Sequence, residues 1–168
     1  LDQMSTATAF LFGVPGFFSP RLIPPHLALE GSLGALSFYD TKPLKATLEE
    51  LVDFAYINRH DGVRLSLGAV DLRTGNSVYF DSKATPICAE HVLASGALPP
   101  GFPPVPIDGE LYWDGGIVSN TPLWYVLDTD PRMNALIVQV DVFSGAGEAP
   151  KNLAEVHERA KDIQYASK

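Results

Sequence analysis

One carboxylate beside a glycine pair is the residue of this sequence best placed to do chemistry. Asp114 follows the apolar residues 111–113, which are typical of a strand, and Gly115 and Gly116 come directly after it. A glycine pair allows a sharp turn, positive φ values and close approach to another backbone. We predict that both glycines shape the backbone and that the Asn120 side chain ties down the loop. Such a frame would present the Asp114 carboxylate rigidly to a substrate.

Two blocks of the sequence, in this order, resemble those of the patatin-like acyl hydrolases. The Asp-Gly-Gly block at 114–116, followed by Asn120 and Pro122, is similar to that family's second catalytic block. Residues 94–104 resemble the block that precedes it. The resemblance implies a Ser-Asp dyad in which Asp114 is the general base. It also implies an α/β, three-layer fold with a mostly parallel sheet, a lipid or ester substrate, and no cofactor or metal.

The serine of that dyad has no counterpart in this sequence. In the family it lies in Gly-x-Ser-x-Gly, and none of the 168 residues forms that pattern. Ser66 and Ser32 have the second glycine but not the first, and Ser95 has neither. We therefore expect residues 1–168 to be the C-terminal portion of a single patatin-like domain, inactive alone. The nucleophile would lie on a missing N-terminal segment or on a second chain, and a homo-oligomer is also compatible.

Composition narrows the classes of partner. The net charge of −8 lacks the basic face that nucleic-acid binding needs, and it opposes attachment to anionic lipid. Binding of a neutral lipid through apolar surface stays open. The longest apolar stretch, 7–18, is too short to span a bilayer and contains Pro15. With a single cysteine, Cys88, no internal disulfide can form, and its apolar neighbours favour a buried, unreactive thiol. We expect a cytoplasmic location, with peripheral membrane contact.

Two alternatives compete with the hydrolase interpretation. A non-catalytic binding or scaffold module with a patatin-like fold could act through the phenylalanines of residues 10–18. A paired-carboxylate glycosidase could use Asp114 with Glu110 or Asp108. Asp108 precedes Gly109, however, and that dipeptide is typical of a hairpin turn, so we expect Asp108 to face solvent.

The predicted elements position Asp114 at the end of a strand. Hydrophobic periodicity, caps and turn signals define them. They are a helix over 43–52, an antiparallel hairpin over 63–80, a short helix over 90–94, a strand over 110–113, a short helix over 122–127, a buried parallel strand over 136–142 and a last helix capped by Asn152.

Overall fold

Helices and strands are mixed along the chain, which agrees with the predicted α/β class. The computed structural model describes residues 3–59, 62–128, 134–140 and 142–166. The chain divides into two compact units, Leu1–Gly115 and Gly116–Lys168. The elements are α1 (Gln3–Phe12), β1 (Ser19–Pro20), β2 (Tyr39–Asp40), α2 (Lys42–Leu51), α3 (Phe54–Ile57), β3 (Ser66–Asp71), β4 (Ser77–Asp81), α4 (Ala89–Ser95), β5 (Val105–Ile107), β6 (Glu110–Asp114), α5 (Leu123–Leu127) and α6 (Leu153–Tyr165). Short 3-10 turns lie at Pro25–Leu27, Leu33–Leu36 and Gly115–Ile117.

The larger sheet has four strands in the order β4-β3-β6-β5, and each neighbouring pair is antiparallel. The smaller sheet, β1 with β2, is antiparallel too. A mostly parallel sheet was predicted, but the part of the chain that the structure describes contains no parallel pair. For the two hairpins, β3–β4 and β5–β6, the reason is the length of the connections. Residues 72–76 and 108–109 join consecutive strands directly, whereas parallel neighbours need a crossover of a dozen or more residues.

The turn between β5 and β6 confirms the predicted hairpin. Ile107 pairs with Glu110, so the loop has two residues, and these have φ values of 51° at Asp108 and 88° at Gly109. Positive φ at both central positions is the type I′ geometry, whose twist matches that of the flanking strands. The turn therefore sets the register of β6 and, through it, the position of Asp114.

Helix α4 covers the sheet and closes the core of the first unit. The buried cluster comprises Ala69, Phe80, Ile87, Leu93, Ala94, Ala97, Val105 and Ile107. Ile87 is 1% exposed and precedes the helix. The Asn58 side chain binds both of its backbone groups, accepting from the Ile87 N–H at 2.7 Å and donating to the Ile87 carbonyl at 2.8 Å. These bonds satisfy backbone groups that burial would otherwise leave unpaired.

An ion pair joins α2 to α4. The Lys45 Nζ lies 2.7 Å from the Glu90 Oε1. The hydrogen bond from Lys45, helped by one from the Cys88 thiol, lowers the pKa of Glu90 to about 2. Since this folded pKa lies below the ordinary value of about 4.3, the carboxylate stabilises the fold above that pH. Its contribution is lost as the pH falls toward 2.

We predict that Glu90→Gln lowers the free energy of unfolding at pH 7 by about 0.5–1 kcal/mol, a modest value because the pair is partly exposed. The difference from the wild type should shrink as the pH falls from about 4.5 and vanish near pH 2. Urea titrations at several pH values measure it. Glu50→Gln is the control, because Glu50 forms no ion pair among the described residues. A Glu90→Gln difference that is independent of pH would contradict the assignment.

The predicted buried strand over 136–142 is wrong for the residues that can be compared. Residues 136–140 and 142 have no strand structure, and residue 141 lies outside the described residues. Leu136 is 92% exposed and Val142 is 80% exposed. An apolar run gives a preference for the extended conformation, but a strand also needs a neighbour to pair with, and pairing is a long-range event.

Helix α6 begins where its cap predicts. The Asn152 Oδ1 accepts from the Glu155 N–H at 3.0 Å, and the Glu155 carboxylate accepts from the Asn152 amide at 2.7 Å. The first of these bonds occupies one of the backbone donors that the first helical turn leaves free, whereas the second joins two side chains. None of the helices in the described part of the chain has the length and apolar character that crossing a bilayer requires.

Candidate active site

Asp114 is held through its backbone on two sides. It ends β6, the strand between β3 and β5, and lies opposite Ala69, which is 0% exposed. Its N–H donates to the carbonyl of Ala97 at 3.1 Å. Asp114 itself is half-buried. A rigid backbone with a partly accessible carboxylate is the arrangement that a general base requires.

The hydrogen bond to Ala97 brings the two sequence blocks together. Ala97 is 3% exposed and belongs to the block 94–104. The same block is anchored by β2, because the Phe38 N–H donates to the Pro100 carbonyl at 3.1 Å and the Tyr39 N–H to the Gly101 carbonyl at 3.0 Å. The upstream block, residues 94–104, thus connects β2 to the end of β6. Ser95, the last residue of α4, lies in the same block.

An aromatic cluster packs the 94–104 block against residues near the start of the chain. The Phe102 ring contacts those of Phe17, Phe18 and Tyr39, with centroids 5.8, 5.4 and 6.3 Å apart. The Phe102 N–H donates to the Leu98 carbonyl at 3.0 Å. The phenylalanines at 17 and 18 therefore have a packing role. The most exposed aromatic residues of this region are Phe10 and Phe12, at 64% and 75%, whereas Phe17 is 39% exposed.

Gly115 is required by close packing of two backbones. A Cβ at this position would lie 2.7 Å from both the carbonyl carbon and the oxygen of Gly68, and 3.0 Å from the nitrogen of Ala69. Its φ is outside the left-handed region, so the predicted positive φ is not what demands glycine here. The turn after Asp114 passes directly over β3, which only a residue without a side chain allows.

Gly116 and Asn120 lie in the second unit. Gly116 continues the 3-10 turn Gly115–Ile117. The Asn120 amide donates to the carbonyl of Tyr165, at the end of α6, at 2.7 Å. This bond ties two parts of the second unit together. That Asn120 restrains the Asp114 loop stays a prediction.

A Ser-Asp pair that the sequence did not reveal lies on the β3–β4 hairpin. Ser66 faces Asp81 across the strands, and its Oγ donates to Oδ2 at 2.7 Å. The same oxygen accepts from the Arg64 Nε at 2.6 Å, and Oδ1 accepts from the Lys83 N–H at 2.9 Å. Asp81 is 6% exposed. Because this carboxylate is buried and already shared among three donors, we assign it to closing the hairpin rather than to catalysis.

Cys88 and His91 form a neutral pair at the start of α4. The Cys88 Sγ lies 3.2 Å from the His91 Nδ1, which also accepts from the Cys88 N–H at 3.0 Å. Burial raises the pKa of the Cys88 thiol and lowers the pKa of His91. Both shifts oppose the thiolate–imidazolium pair of a cysteine nucleophile. Cys88 is half-buried, where a buried thiol was predicted, and it occupies the N-terminal cap position of the helix.

The geometry removes support from the glycosidase alternative. Asp108 is exposed in the turn, as predicted. The Glu110 carboxylate pairs with the Arg73 guanidinium at 3.2 Å. A glycosidase needs an acid and a base that both face one substrate bond.

Within the described ranges, no group of three or more His, Cys, Asp or Glu side chains is arranged to hold a metal ion.

Comparison with protein families gives the chain its class. Residues 10–127 match the sequence model of the patatin-like phospholipase family, and the match spans more than half of the chain. The chain belongs to this family. The match contains both the 94–104 block and Asp114, and it ends before the apolar run 136–142. Patatin-like proteins are lipid acyl hydrolases with α/β folds, which agrees with the class of fold described above. No curated protein matches this sequence significantly.

Proposed function

We propose that this patatin-like chain supplies the general base of a lipid acyl hydrolase, and that Asp114 is that base. The observation that carries the proposal is the end of β6, where the family's two blocks meet through the bond from the Asp114 N–H to Ala97. The close contact of Gly115 with β3 adds rigidity immediately after the carboxylate.

The proposed reaction is acyl transfer through a serine that lies outside these residues. The Asp114 carboxylate takes the serine hydroxyl proton while the serine oxygen attacks the ester carbonyl carbon. The bond to the alcohol then breaks, and Asp114 returns the proton to the departing oxygen. Asp114 next deprotonates a water that attacks the acyl-serine, and it returns that proton to the serine oxygen as the bond between serine and acyl group breaks and the carboxylic acid is released. The proton balance closes without a cofactor.

A serine-directed fluorophosphonate tests where the nucleophile lies. We expect no adduct on the 168-residue chain alone, because it has no Gly-x-Ser-x-Gly. A longer polypeptide or an added second chain that carries this motif should become labelled at its serine and hydrolyse a p-nitrophenyl ester. Intact mass spectrometry identifies the labelled polypeptide. Labelling of a serine among residues 1–168, for example Ser66, would overturn the division of the dyad.

The binding-module alternative is favoured by a different observation. The sequence lacks the nucleophile motif, and large apolar side chains such as Phe12 and Leu11 are more than two-thirds exposed. Denaturing mass spectrometry of the purified native protein separates the two functions. A native protein that carries the motif supports the hydrolase, whereas one that consists of these 168 residues alone supports the binding module.

A further inference from the structure

An open groove in the first unit combines one cation with aliphatic walls. Its volume is about 540 Å³, and all of its lining residues fall within 19–40, the segment that contains β1 and β2. Small-molecule sites typically have volumes of about 300–1,000 Å³. Arg21 lies in the groove beside Asp40, and leucine and isoleucine side chains form much of the remainder.

The Arg21 guanidinium is oriented by a buried serine. Its Nε and Nη2 donate to the Ser37 Oγ at 3.1 and 2.9 Å, and Ser37 is 2% exposed. The Nη1 lies 3.9 Å from the Asp40 carboxylate, which is beyond hydrogen-bond length. The Arg21 side chain is only 16% exposed. The guanidinium is thus partly desolvated, and the two N–H groups of its Nη1 have no hydrogen bond among the described residues.

The walls of the groove are apolar and open to solvent. Leu22 is 101% exposed, Leu27 70% and Leu29 82%. Burying such side chains against an acyl chain is favourable, at roughly 25 cal/mol for each Å² of apolar surface. Since these side chains are exposed in the described structure, a bound acyl chain would remove their surface from water.

We propose that this groove binds the anion of a long-chain fatty acid, with its carboxylate on Arg21 and its chain along Leu22, Leu27 and Leu29. The planar guanidinium matches a carboxylate. Asp40 lies beside the same guanidinium and repels anions, while Lys42 lies 3.9 Å from Asp40, so the three side chains together carry one positive charge. A single negative charge complements that cluster, whereas the double charge of a phosphate monoester exceeds it.

The proposal goes beyond the proposed function, since it requires neither Asp114 nor a nucleophile. The test is displacement of a fluorescent fatty acid from the 168-residue chain by palmitate, hexadecanol or hexadecyl phosphate. We expect palmitate to compete best. Arg21→Gln should weaken the binding of palmitate by about tenfold or more, because a charge-assisted contact is lost. The binding of hexadecanol should be unaffected by Arg21→Gln, because its hydroxyl carries no charge. Asp114→Asn should bind palmitate as the wild type does, so failure here is separate from failure of the hydrolase proposal.

A second variant keeps the test decisive if Arg21→Gln does not fold. Replacement of Leu22 and Leu29 by Ser should weaken the binding of palmitate by about fivefold. The fold should survive, since both side chains are exposed. Leu11→Ser is the matched control, because Leu11 is 69% exposed but outside the groove. The proposal is overturned if the Leu22 and Leu29 variant binds palmitate as tightly as the Leu11→Ser variant does. It is also overturned if hexadecanol competes as well as palmitate, or if hexadecyl phosphate binds more tightly than palmitate.

Discussion

Asp114→Asn should lower kcat/KM for ester hydrolysis by about a thousandfold in the protein that also contains the nucleophile. The amide has the shape of the carboxylate but cannot accept the serine proton. The backbone anchor is unaffected, because it is the Asp114 N–H that binds the Ala97 carbonyl. The serine would then attack without a base, and only the other contributions to catalysis would remain.

Steady-state kinetics with a p-nitrophenyl ester, together with circular dichroism and urea unfolding, measure this effect. Asp108→Asn is the matched control on the same hairpin. Asp108 is exposed at φ 51°, a conformation that Asn tolerates well, so both activity and stability should stay at the wild-type level. A folded Asp114→Asn protein that keeps wild-type turnover would remove Asp114 from the mechanism and leave the binding module as the better hypothesis.

Gly115→Ala should destabilise the protein by about 3 kcal/mol, at the upper end of the range for overpacking. The new Cβ would lie 2.7 Å from the Gly68 carbonyl group. That obstacle is the backbone of β3, the strand that pairs with both β4 and β6, and it cannot move aside as the end of a flexible side chain could. Separation of β3 from the turn would also displace the carboxylate next to it.

Urea unfolding of wild type and variant checks the effect on stability. Gly96→Ala is the control, because a Cβ there would lie 3.9 Å from the Val92 oxygen, which is an ordinary van der Waals contact. We expect that control to change stability by less than about 0.5 kcal/mol. If Gly115→Ala unfolds like the control, β3 and the turn after Asp114 are not as close in solution as described here.

Local signals allowed several features to be predicted from the sequence. The Asp108–Gly109 dipeptide predicts its hairpin because the positive φ values that the turn needs depend on those two residues alone. Asn152 likewise predicts the start of α6, since a cap acts within one helical turn. The Asp-Gly-Gly and 94–104 blocks pointed to the family, and the family comparison confirms it.

Tertiary structure decided the features that depend on distant partners. That Gly115 touches Gly68 and that Asp114 binds Ala97 could not be derived from spacing, because each contact joins separate segments. The apolar run 136–142 shows the same limit, since a strand requires a neighbour that composition does not supply. The sequence by itself thus determined the turn at 108–109, the cap at Asn152 and the family of this protein. Only the packed chain decided that β3 pairs with β6, because that pairing joins residues that lie far apart along the chain.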